Sequence, residues 1–189
     1  MTAEDVEVEG CRLDGYNLVA AHLIRPRFVD TCFVRCDLSA AHFEEAVFTR
    51  AEFLDCRMTG IDLSGGRLQD VAFRQCRMPE ANLRMLSATR VVFDGCQMAA
   101  ADLYGAHLAG AGLLDCDLSS AEFSATELTG ARLHGSRLDG LRGAASLRGS
   151  LISPDQVPVV GRMMLAAMDV HVLNSPCSTA EGPGPGQAR

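Results

Sequence analysis

From Val8 to Leu138 every fifth residue is a large apolar side chain, and the one exception in 27 consecutive positions is Ala88. All eight phenylalanines fall in this register, with fourteen leucines, three methionines and Val8. A helix repeats about every 3.6 residues and a strand about every 2, so neither amphipathic template accounts for the pattern. The chain must turn every five residues, and a fixed period of this kind is read as a repeat before any local motif.

Two positions before each large centre stands Ala at ten repeats and Cys at six, so small and large residues point inward together. The remaining positions carry polar residues such as Arg57, Asp62 and Glu122 and face water. Gly is frequent two places after the centre, as at Gly60, Gly65, Gly95 and Gly105, where a turn calls for unusual dihedrals. Cys36, Cys56, Cys76, Cys96 and Cys116 recur at intervals of 20, which is four fives and hence a coil of four sides. The same step puts Phe33, Phe53, Phe73 and Phe93 in one column and Met58, Met78 and Met98 in another. At the single defect the volumes are exchanged: Ala88 is a small centre, and Leu86 fills the small slot before it.

Blocks such as Ala101-Asp102-Leu103-Tyr104-Gly105 and Ala121-Glu122-Phe123-Ser124-Ala125 resemble the A-(D/N)-L-x-x unit of the pentapeptide-repeat family. The resemblance implies an all-β fold, a right-handed quadrilateral β-helix solenoid, with a short C-terminal α-helical cap following from the sequence beyond the repeat. At a strand spacing of ~4.8 Å, roughly seven coils would form a rod of ~30 to 35 Å.

After Leu138 the register slips by one residue, with Ala145-Ser146-Leu147 and Ser150-Leu151-Ile152 fitting two displaced blocks. Ser153-Pro154-Asp155-Gln156 then reads as a helix start, with Ser as N-cap, Pro at the first helical position and an acid in the first turn. The helix is expected to run to about Met168, with Val157, Val160, Met164 and Ala167 on one stripe that serves as cap and homodimer contact. A short strand is expected over Asp169-Val170-His171-Val172-Leu173, and the Pro- and Gly-rich segment 174–189 is expected to be disordered. The chain thus divides into a solenoid over 1–152, a cap and dimerisation element over 153–173, and a tail.

Composition narrows the function. Net charge is −7 and lysine is absent, which argues against binding nucleic acid directly through a basic surface. No apolar run approaches the ~18 residues of a membrane span, and the opening Met1-Thr2-Ala3-Glu4-Asp5 lacks the basic and apolar segments of a secretory signal. A cytoplasmic protein with reduced thiols is expected. Charge is uneven: between Val91 and Ala131 stand Asp94, Asp102, Asp115, Asp117, Glu122 and Glu127 with no arginine, while Arg67 to Arg90 holds five arginines against Asp70 and Glu80.

The cysteine column reads as core, since Cys is a small buried hydrophobe and no His or acid shares its slot. Cys32 faces outward in the register and is expected to be reactive. His22 and His42 share an outward column with Asp62 but match no metal-site spacing, so neither metal nor cofactor is expected. No nucleophile and base pair and no phosphate-binding loop can be assembled, so enzyme activity is not expected.

The closing segment, with Leu147-Arg148-Gly149-Ser150, Asp155-Gln156 and Val170-His171-Val172-Leu173, is similar to that of the mycobacterial fluoroquinolone-resistance branch of the family. That resemblance implies a dimeric, DNA-shaped acidic rod that occupies the DNA-binding saddle of DNA gyrase or topoisomerase IV, inhibiting the enzyme or shielding it from inhibitors. The acids from Asp94 to Glu127 are the expected partner-binding belt. Family members that rescue gyrase often carry projecting loops; none is visible here, which favours inhibition over protection. The alternative is a scaffold or interaction module with another protein partner.

Overall fold

The computed structural model describes residues 2–170 and is a right-handed, four-sided β-solenoid closed by one short helix. Each residue of a coil pairs in parallel with the residue twenty later: Thr2 with His22, Glu7 with Arg27, Arg12 with Cys32 and Asn17 with Asp37. On most sides the strand is only three residues long, because the chain turns a corner after every fifth residue. Six steps of twenty lead from Asn17 to Arg137 along one column, giving ~29 Å of rod at ~4.8 Å per step.

Backbone groups are satisfied between coils. Asp62 N–H donates to Ala41 O in the coil below at 2.8 Å, and Leu63 N–H donates to Asn82 O in the coil above at 2.9 Å. The corner residue contributes as well, Gly60 N–H donating to Pro79 O at 2.9 Å. Every fifth residue from Asp5 to Gly140 is left-handed, with φ between 50 and 72°. Only ten of these are glycine, so Asp, Arg, Glu, Ala and even Met85 accept a conformation that costs an L-residue roughly 1 kcal/mol, offset by the intercoil hydrogen bonds.

The centres and small slots form one continuous core, most of it fully buried. The phenylalanine column stacks face to face, with ring centroids 4.6 Å apart for Phe33 and Phe53 and 4.7 Å for Phe53 with Phe73 and Phe73 with Phe93. The cysteine column is buried as expected, and each thiol donates to the carbonyl 23 residues earlier, as Cys56 does to Phe33 O at 3.4 Å. Ser136 continues that column in the same manner, donating to Leu113 O and accepting from Cys116 N–H at 2.9 Å. Small residues with one donor suit the slot because a carbonyl waits there.

The exchanged volumes at the defect are real. Leu86 is fully buried while Ala88 is only partly so. Room for Leu86 comes from Gly66 in the coil below: a Cβ there would lie 3.4 Å from Leu86 Cδ1 and 2.9 Å from Leu63 O. Leu86→Ala is expected to cost about 3 kcal/mol in thermal unfolding, against a few tenths for the exposed Ser87→Ala. Equal losses would place Leu86 outside the core.

At the end of the rod the register slips by one, Arg132 pairing with Leu151 rather than with a residue twenty later. A 3₁₀ turn over Ala144–Leu147 follows Gly143, whose φ is 77° and where a Cβ would come within 2.6 Å of Phe123 C. A second 3₁₀ turn, Pro154–Gln156, leads into helix α1, Val157–Ala167. Ser153 stands at the helix start, yet its hydroxyl finds no partner; its backbone N–H instead donates to Gln156 Oε1 at 2.8 Å. Gln156, almost fully buried, also donates from Nε2 to Leu133 O at 2.7 Å and to Ser136 O at 2.5 Å, tying the helix to the last coil.

The expected stripe is divided. Val160 and Met164 pack on the core together with Val159 and Met163, whereas Val157 and Ala167 are exposed. Of the expected strand, Asp169 and Val170 are described but not extended; 171–173 and the tail lie outside the described residues.

Candidate partner-binding surface

A rod without projecting loops presents chemistry only through its outward side chains, and these are organised along the axis. On the corners, Asp30, Arg50, Asp70 and Arg90 alternate at twenty-residue steps. Arg50 reaches Asp30 with two bonds of 2.6 and 2.7 Å, and Arg90 reaches Asp70 in the same way at 2.5 and 2.7 Å. The arginine bonds hold the Asp30 and Asp70 carboxyls below the usual carboxylate range. Solvent screens such exposed pairs, so they shape the surface potential more than they stabilise the fold.

This lattice changes the meaning of the acidic belt. Asp94 lies 3.6 Å from Arg74, Asp102 2.9 Å from Arg84, Asp117 2.5 Å from Arg137 and Glu122 3.2 Å from Arg142. Glu127 faces His107 at 3.2 Å, and Asp115 alone of the six forms no ion pair among the described residues. The stretch is free of arginine along the chain but not in space, because neighbours in the fold are twenty residues apart. Nor do the six acids share a side: Asp102 and Glu122 share one column, while Asp117, Glu127 and Asp94 lie on the other three sides and Asp115 on a corner.

Local bonds keep two of these acids ionised. Burial works to raise the Asp117 carboxyl, but the Ser119 hydroxyl and amide and then Arg137 outweigh it and hold it below its ordinary range. The bond from Ser124 likewise keeps Glu122 low against burial. Both therefore stay charged as pH falls past the point where a free carboxylate takes its proton.

Large apolar side chains are exposed at both ends and in the middle of the rod, Tyr16 and Val19 in the first coil and Leu151 at the closing turn among them. Met85 and Tyr104 stand out on the middle of the rod, where Arg84 lies 4.4 Å above the Tyr104 ring. At the C-terminal end Val157, Leu165 and Met168 are exposed, Met168 at 72%. The Cys32 expectation changes: burial pushes its thiol above the ordinary range, so its reactive thiolate is scarcer than the outward register suggested. His22 and His42 lie with ring centroids 5.8 Å apart and planes tilted by 59°, and no three His, Cys, Asp or Glu side chains among the described residues converge on a metal position. No helix among the described residues is long and apolar enough to cross a membrane.

Fold and surface together define a repeat solenoid that offers a long exterior. The chain belongs to the pentapeptide-repeat family, whose repeat-region model matches residues 26–88 and 66–142. Among solved structures it is similar to QnrB1, a plasmid-mediated fluoroquinolone resistance protein, at 16% identity over 92% of this chain and 98% of that one, with a TM-score of 0.36. HetL, involved in heterocyst differentiation regulation in the cyanobacterium Nostoc sp. strain PCC 7120, shares 16% identity over 78% and 87% of the two chains, with a TM-score of 0.29. A pentapeptide repeat protein of the Arabidopsis thaliana thylakoid lumen shares 23% over 56% and 74%, with a TM-score of 0.32. No functionally curated protein matches the chain.

Proposed function

We propose that this chain is a non-catalytic binding rod whose partner is DNA gyrase or topoisomerase IV, where it occupies the surface that otherwise receives DNA. The observation that carries the reading is the uninterrupted, loop-free rod with acids on every side, as a duplex carries phosphates all round its axis. Charge sets a limit: ~29 Å of duplex carries about 17 negative charges, whereas residues 17–137, which span that length, hold 15 acids against 12 arginines, a net −3, so the mimicry rests on shape more than on charge. The rod acts in the cytoplasm as a homodimer joined at the C-terminal caps, with exposed Val157, Leu165 and Met168 contributing to the seam.

The test is gyrase supercoiling and DNA cleavage with and without the protein and a quinolone. Inhibition of supercoiling in the low micromolar range is expected. Because Asp115 carries no counter-charge, Asp115→Asn is expected to weaken inhibition more than Asp94→Asn, whose carboxylate Arg74 already holds. No response at tens of micromolar would remove the reading.

A second reading is an interaction module for a different protein. It is favoured by the arginines that cover Asp94, Asp102, Asp117 and Glu122, since a surface of internally paired charges is less DNA-like than the bare sequence.

A further inference from the structure

Charge along the columns alternates or is capped almost everywhere, and the exceptions are informative. Two columns place like charges in register on adjacent coils. Asp102 over Glu122 is relieved at both ends, by Arg84 and by Arg142. Arg57 over Arg77 is relieved at one end only. Arg57 has Asp37 at 3.6 Å, while Arg77 takes part in no ion pair among the described residues and has neutral Gln97 as its register partner above. Like charges directly opposite one another on paired strands are unfavourable, so this step is left with unbalanced positive charge.

The same side chains line a groove that runs along the rod between this column and the neighbouring corner. Its upper end is formed by Arg57, Arg77, Gln75 and Gln97, all with N–H donors; Gln75 folds over Gly95, where a side chain would displace it. Of the groove's two carboxylates, Asp37 lies one coil below Arg57, and Asp55 stands on the corner of the Arg57 coil, beneath Gln75, with no ion pair among the described residues. Asp37 is occupied there by Ser39, whose hydroxyl donates at 2.6 Å, and Arg35 beside them is held by Asp14 at 2.5 Å.

We propose that the upper end of this groove is an oxyanion site of the phosphate type, in which the guanidinium groups of Arg57 and Arg77 clamp one tetrahedral anion and the amides of Gln75 and Gln97 complete its donors. Two planar forks one coil apart suit several oxygens on one centre better than a single carboxylate edge. The site is independent of gyrase binding. It lies on the side of the rod that carries Asp117, and a bound phosphate would neutralise the one positive step of that column.

Arginine side-chain NMR decides it, with the full chain titrated at constant ionic strength by inorganic phosphate, pyrophosphate and acetate in separate arms. The expected result is saturable movement of the Arg57 and Arg77 Nε–H signals with phosphate and pyrophosphate, while Arg67 and Arg132, equally without an ion pair, stay in place. Arg77→Ala, an exposed change that leaves the core intact, is expected to weaken binding about tenfold, with Arg67→Ala at wild-type affinity. Saturation by acetate alone, movement shared equally by Arg67, or no movement up to ~20 mM would each overturn the site.

Discussion

Gln156→Glu is expected to detach the helical cap from the rod at a cost of about 3 to 5 kcal/mol, the largest effect of any polar substitution in the chain. The native amide uses both ends: its oxygen accepts from Ser153 N–H, and its nitrogen donates to Leu133 O and Ser136 O. A carboxylate of the same size keeps the first bond and turns the other two into contacts between oxygens in a buried place. The introduced acid would have its folded pKa raised above the unfolded value of about 4.3. Its proton then favours folding: the variant is least impaired below pH ~4 and loses stability as pH rises through the folded value. Hydrogen exchange should show the loss confined to Leu133 onward, and, on the proposal that the caps join two copies, light scattering should show the variant as a monomer. Unchanged protection of α1 in the variant would mean that the helix is held by Val159, Val160, Met163 and Met164 alone.

Phe73→Ala is expected to cost about 3 to 5 kcal/mol, more than Leu86→Ala. Phe73 is fully buried between Phe53 and Phe93, each stacked on it at 4.7 Å, so its removal breaks the aromatic column in the middle rather than at an end. In a solenoid each coil contacts only its neighbours, and a cavity at mid-rod weakens two interfaces at once. Urea unfolding should show a lower midpoint, and hydrogen exchange should place the greatest loss in the coils of Phe53, Phe73 and Phe93. A loss below ~1 kcal/mol would mean that flanking side chains collapse into the space.

Much of this was legible in the chain because the repeat is a one-dimensional code. The inward centres, the small slots, the buried cysteines, the swap at Leu86 and Ala88 and the slip after Leu138 all follow from counting in fives and twenties. The ion pairs were legible too, had charges been compared at steps of twenty: Asp30, Arg50, Asp70 and Arg90 alternate plainly. Counting charge along consecutive residues instead grouped Asp94 to Glu127 into a belt that the fold distributes over four sides. Gln156 carried no signal beyond its place in a helix start, since its partners are carbonyls of an earlier coil.

The sequence by itself therefore determined the architecture, because one burial pattern repeated over 27 positions leaves the backbone a single way to close its hydrogen bonds. Tertiary structure decided what a step of twenty does not give: the pairing of Asp102 with Arg84, 18 residues apart, the isolation of Asp115 and Arg77 among the described residues, and the riveting of α1 by Gln156. The physical reason is that burial is a property of each residue and its period, whereas electrostatic and hydrogen-bond partnership is a property of pairs, set by side-chain reach across coils ~4.8 Å apart.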